Sequence, residues 1–118
     1  MTPRPDIRMT AEEIDAFLAE QTAAVIAAVD PEGWPVGAVG RVQRVDGLLD
    51  IDLPPFDALV EAIRDGGPIC CVFEDSPTYH TIRGVTIRGR VRRRDPQLEV
   101  EIERTTSFDF GKLPRSER

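Results

Sequence analysis

Residues 22–53 read TAAVIAAVDPEGWPVGAVGRVQRVDGLLDIDL. The opening run, residues 22–29, is apolar and rich in small and β-branched side chains. A small-residue run of this kind could also be helical, but its length and the turn after it favour a buried strand. That turn is Asp30-Pro31-Glu32-Gly33, with proline at its second position and glycine at its fourth. A second strand follows over about 34–45. Asp46-Gly47 then signals a tight hairpin into a third strand at 48–53. Three strands joined by tight turns pair antiparallel.

Upstream, Thr10-Ala11-Glu12-Glu13 is a capping box, and Ile14, Phe17 and Leu18 follow at helical spacing, which predicts a helix over about 10–20. Downstream, Pro54-Pro55 stops the third strand. Phe56, Leu59, Val60 and Ile63 predict a second helix at about 55–65, ending at Gly66-Gly67. Strands are expected at 69–73 and about 80–93. A sixth begins where Leu98, Val100 and Ile102 alternate with Glu99, Glu101 and Glu103. The order helix, three strands, helix, three strands predicts a mainly β domain, a six-stranded antiparallel barrel with two short helices. One domain spans residues 1–118, with flexible arms expected at 1–9 and 114–118.

With 41% hydrophobic and 31% charged residues, the 118-residue chain suits one compact domain. No apolar run reaches the roughly 20 residues of a membrane helix, and the polar N-terminus carries no secretory signal. The expectation is a cytoplasmic protein without a membrane partner. The net charge of −6 argues against nucleic acid as a partner. That charge is unevenly placed: residues 1–79 carry −10, residues 80–94 carry +6 and residues 95–118 carry −2. Cys70 and Cys71 are neighbours whose side chains point to opposite strand faces, so they read as reduced strand residues.

Several constellations bear on chemistry. The cluster Arg83, Arg88, Arg90, Arg92, Arg93 and Arg94 reads either as an anion site or as a cross-strand ladder. In the ladder a turn at Asp95-Pro96 sets Arg92, Arg90 and Arg88 opposite Glu99, Glu101 and Glu103. His80, the only histidine, excludes a two-histidine zinc site and leaves either a cofactor contact or an exposed side chain. Asp50 and Asp52 share one strand face, as an acid/base or metal pair or simply as a solvated side. Gly37 and Gly40 match no dinucleotide fingerprint, because no helix follows them.

Three segments together resemble pyridoxamine 5′-phosphate oxidase-like proteins, the FMN-binding split β-barrel family. They are Glu13-Ile14 through Phe17-Leu18 with Val29-Asp30-Pro31-Glu32-Gly33-Trp34-Pro35, then residues 83–91 (RGVTIRGRV), then residues 106–113 (TSFDFGKL). The resemblance implies a six-stranded split barrel that forms a homodimer, with a flavin site at the subunit interface. It implies FMN or a deazaflavin as cofactor and a small organic molecule as substrate of an oxidoreductase reaction; one branch binds haem. By the same resemblance Val36, Ala38, Gly40 and Arg41 line the ring or phosphate, with Arg44, His80 and Arg83 as further candidates. The resemblance assigns no catalytic residue.

The chain departs from the family pattern where the flavin phosphate is usually bound. The start of the second helix, Leu53-Pro54-Pro55-Phe56-Asp57-Ala58, has no base; Asp52 stands where a hydroxyl is expected, and Ala38 where a Thr or Arg is common. Asp52 and Asp57 would repel a phosphate. These departures raise an alternative, a cofactor-free split-barrel dimer that acts as a non-catalytic binding or assembly module.

Overall fold

The computed structural model describes residues 4–54, 58–75, 78, 81–94 and 97–114. Helix α1 (Ala11–Glu20) starts at the capping box. The Thr10 hydroxyl accepts from the Glu13 amide at 3.2 Å, and the Glu13 carboxylate accepts from the Thr10 amide at 3.0 Å. Both groups are orphan donors of a first helical turn, so the box fixes where the helix begins. Strands β1 (Ala23–Val29), β2 (Pro35–Val45) and β3 (Leu48–Asp52) come next. Helix α2 (Ala58–Ala62), β4 (Pro68–Asp75), β5 (Arg83–Arg94), β6 (Gln97–Asp109) and a 3₁₀ turn at Phe110–Lys112 complete the chain.

The two tight turns form for the reasons their residues imply. Asp30 Oδ1 accepts from the amides of Glu32 at 2.9 Å and Trp34 at 2.8 Å. Gly33, at φ +91°, closes the turn by donating to the Asp30 carbonyl at 3.0 Å. Asp46 and Gly47 hold φ of +51° and +79°, the left-handed pair that a two-residue hairpin needs.

All strand neighbours are antiparallel, and the sheet closes in the order β1-β2-β3-β6-β5-β4. Closure leaves no edge strand to pair with another chain. Ile26, Leu49, Phe73, Val85, Ile87 and Val100 fill the interior at no more than 2% exposure. Phe17 of α1 and Leu59 of α2 join the same core. Asp50 and Asp52 stay exposed while Leu49 and Ile51 are buried, so β3 alternates as its sequence indicates. The six-stranded, mainly β barrel with two helices is thus the observed fold. Among the described residues, no helix is long and apolar enough to cross a membrane.

Three details differ from the sequence reading. Strand β6 runs on to Asp109, although its alternation fades after Glu103, because β5 offers partners out to Arg83. Helix α2 is one short stretch, with residues 55–57 outside the described set and Ile63 bonded back to Leu59 at 3.0 Å. The chain between residues 7 and 9 is docked: the Asp109 amide donates to Ile7 O at 2.8 Å and the Met9 amide to Ser107 Oγ at 2.9 Å.

The arginine ladder forms for two of its three expected rungs. Arg92 faces Glu99 and Arg90 faces Glu101, but a bulge between Arg88 and Gly89 shifts the register and sets Arg88 opposite Arg104. The ion pairs themselves run diagonally, Arg90 to Glu103 at 3.0 Å and Arg92 to Glu101. The turn at Asp95-Pro96 lies outside the described residues.

Candidate functional site

Strand alternation sorts the β2 candidates before any ligand is considered. Val36 and Ala38 pack against the core and Gly40 is buried, whereas Arg41 is exposed. Gly40 is small for a packing reason: an added Cβ would meet Ile26 Cδ1 and Leu53 Cδ2 at 2.7 Å each. Period two therefore puts Arg41 on the opposite strand face from Val36, Ala38 and Gly40.

A cleft of about 1000 Å³ opens where the end of α1 meets β2, β3 and the start of β6. Its walls include Leu18, Thr22, Arg41, Arg44, Asp50 and Asp52. Arg41 and Arg44 are thereby brought together, while Val36, Ala38, Gly40 and Arg83 do not line this cleft. Arg44 donates to Asp15 of α1 at 2.7 Å, which ties the helix to the barrel and uses much of its charge. Across the ladder Arg41 faces Asp52, and Gln43 faces Asp50. Among the described residues, Arg41 has no ion-pair partner, so its guanidinium is the one in the cleft left to meet a ligand. Two arginines against two aspartates in the wall, with Asp15 on Arg44, leave the cleft without net positive charge.

Arg83 serves the scaffold. Its guanidinium donates to Asp75 at 2.9 Å, lies 3.8 Å from Glu20 and stacks over the Phe17 ring at 5.1 Å. The hydrogen bond to Asp75 raises its pKa further, so it is a permanent cation committed to α1 and β4. His80 lies outside the described residues. Arg93 donates to the carbonyls of Val60 at 3.0 Å and Ile63 at 2.8 Å, capping the C-terminal end of α2. Asp50 and Asp52 form no cation site with a third ligand, since the described residues hold no group of three or more His, Cys, Asp or Glu side chains placed for a metal. The cleft walls from Leu18 to Thr22 and at Gln97 were not legible in sequence, because long-range closure alone brings them beside β2.

No protein-family model and no curated protein sequence matches the chain. Solved structures do. The chain aligns over 100% of its length with 97% of conserved hypothetical protein Rv2991 from Mycobacterium tuberculosis, at 20% identity and a TM-score of 0.77. It matches an FAD- and haem-binding protein of Mycobacterium smegmatis at 14% identity and TM-score 0.75, covering 95% of this chain and 77% of that one. A Corynebacterium glutamicum protein assigned as a pyridoxamine 5′-phosphate oxidase aligns over 98% of this chain and 100% of that one, at 10% identity and TM-score 0.71. At these identities the likeness is one of fold, and it extends over nearly the whole chain. The chain is a six-stranded split β-barrel with the fold shared by FAD-binding and pyridoxamine 5′-phosphate oxidase-like structures.

Proposed function

We propose that the chain binds a flavin-type cofactor, FMN or a deazaflavin, in the Arg41 cleft and takes part in redox chemistry on a small organic molecule. The observation that carries this reading is the cleft itself, about 1000 Å³ beside an unpaired arginine, on a fold that FAD-binding proteins share. Its size is at the upper end of small-molecule sites. Leu18, Val42, Ile51 and Leu98 reach the cleft only as core residues at 3–7% exposure, while Gln43, Thr22 and Arg41 offer hydrogen bonds to the polar edge of a flat ring. A bound flavin supplies hydride or single-electron transfer at its ring, and the protein's part is to orient it and exclude water.

The fit is to the ring and not to a phosphate. Asp52 faces Arg41 across the ladder, and Asp50 lies two residues away on the same face. A dianion there would meet two carboxylates and only one arginine free of an acid partner. Arg41 then orients the ring edge through N–H donation, while Asp50 and Asp52 keep a phosphate out in solvent.

The proposed working form is a homodimer. Val39 and Val25 are cross-strand partners exposed by 68% and 48%, and Val72 continues the row on β4. Exposed apolar rows of this kind mark contact surfaces more often than solvated ones. The carboxylates of the cleft favour a second reading, in which the barrel holds no flavin and the dimer serves as a binding or assembly module.

An absorbance scan of the purified protein, repeated with FMN, a deazaflavin, riboflavin and haemin and paired with thermal melting, separates the readings. Ligand at a hundred times its dissociation constant adds about 2.7 kcal/mol by mass action. A flavin band or flavin-specific rise in Tm, lost in Arg41→Ala, supports the proposal. No band and no shift with any flavin overturns it in favour of the cofactor-free module.

A further inference from the structure

At the other end of β2 from the Arg41 cleft, a groove of about 440 Å³ runs over the outer surface of β1, β4, β5 and β6. Its floor is apolar, including Ala27, Val29, Pro35 and Cys70, and its wall carries Arg88, Arg90 and Arg104 against the single acid Glu103. Arg90 is satisfied by Glu103 at 3.0 Å. Arg88 and Arg104 are exposed, face each other directly across the ladder and have no acidic partner among the described residues.

The bulge creates this pairing. Without it, Arg88 would continue the ladder opposite Glu103. Gly89 enables it, since a Cβ at that position would sit 2.0 Å from the Glu101 carbonyl oxygen. The backbones close on each other only because residue 89 has no side chain, and the extra residue of β6 advances Arg104 into the facing position. Two like charges directly opposite on one sheet face are destabilising. Here they sit beside apolar floor in a chain of net charge −6, so the local field is opposite in sign to that of the molecule.

We propose that this groove binds a small amphipathic anion, with a phosphate or carboxylate head bridging Arg88 and Arg104 and an apolar body lying on Ala27, Val29 and Cys70. The head relieves the repulsion between the two guanidinium groups and presents acceptor oxygens to both. The tail lies on apolar floor next to the Val25, Val39 and Val72 row. The groove is separate from the Arg41 cleft, since Pro35 and Arg41 are six residues apart on an extended strand, about 20 Å, but its floor shares the outer face of β1 and β4 with that row.

Titration calorimetry at low salt with octyl phosphate, octyl glucoside and inorganic phosphate tests it. Octyl phosphate is expected to bind at least tenfold more tightly than either other probe. Arg88→Gln and Arg104→Gln should each weaken it at least tenfold, and Arg94→Gln, on the same strand but outside the groove, should leave it unchanged. Without ligand, the two groove variants should melt no lower than the native protein, which separates lost binding from lost fold. Equal binding of octyl phosphate and octyl glucoside overturns the proposal, as does octyl phosphate binding that survives both substitutions. Inorganic phosphate binding as tightly as octyl phosphate reduces the groove to an adventitious ion only.

Discussion

Gly89→Ala should be among the most damaging single-methyl additions in the barrel. The new Cβ would lie 2.0 Å from the carbonyl oxygen of Glu101 and 2.8 Å from Val100 Cγ1, where ordinary contact begins near 3.4 Å. The oxygen belongs to the backbone of the paired strand, so no rotamer change relieves it, and β5 must move from β6 by more than 1 Å. Overpacking of this kind costs about 1–3 kcal/mol, and each ladder hydrogen bond stretched or lost beside the bulge adds about 0.5–1.5 kcal/mol. The expected loss is about 3 kcal/mol, which for a chain of this length lowers Tm by roughly 10 °C. Urea denaturation with thermal melting followed by circular dichroism measures both. Gly47→Ala, with open space around its Cβ but φ of +79°, is the comparison that carries only conformational strain. If Gly89→Ala melts within about 3 °C of the native protein, or no lower than Gly47→Ala, the close approach of the strands at the bulge is not what requires glycine.

Leu49, fully buried on β3, should lose about 2–5 kcal/mol as Leu49→Ala, read as a lower urea midpoint. The hydrogen bonds from Lys112 at 2.5 Å and from the Thr10 amide hold the Glu13 carboxyl at about 2, below its usual 4.5. The stability it contributes is therefore complete above pH 4.5 and drains away as the pH falls towards 2; Glu13→Gln should flatten that part of the Tm–pH profile. Burial first, and the neighbouring Cys70 second, push the Cys71 thiol up to about 12. Ellman's reagent at pH 8 should accordingly label Cys71→Ser, which keeps Cys70, at least tenfold faster than Cys70→Ser.

What was legible in the sequence was local. The capping box at Thr10 and Glu13, the Asp30–Gly33 turn and the Asp46-Gly47 hairpin each depend on a few adjacent residues, and each forms with the geometry those residues require. Alternation also sorted the two faces of β3 correctly, because a period of two needs no knowledge of the partner strand. The candidate site was less accessible. Grouping Val36, Ala38 and Gly40 with Arg41 followed a family likeness, whereas the strand period separates them onto two faces. The walls supplied by Leu18, Thr22 and Gln97 depend on how the barrel closes, and closure is set by the sum of all the pairings.

Register is where local reasoning meets its limit, and the arginine strand shows why. Counting back from Asp95-Pro96 places the first two rungs correctly, since Arg94 pairs with Gln97 and no irregularity intervenes before Gly89. One inserted residue at the bulge then changes the partner of every position beyond it. Arg88 loses an acid and gains a base, while Thr86 comes opposite Thr106 and Val85 opposite Ser107. The signal was present at Gly89, an inward-facing position on a strand whose other inward residues, Val85, Ile87 and Val91, are all β-branched. A glycine there forgoes core volume, and a strand gives up core volume where two backbones must come close. Charge alternation alone favours the straight ladder, with Glu103 opposite Arg88. The observed register instead favours backbone contact at Gly89 over one surface ion pair. Magnitudes agree with that outcome, because an exposed pair contributes roughly 0–1 kcal/mol and a well-packed barrel interior considerably more.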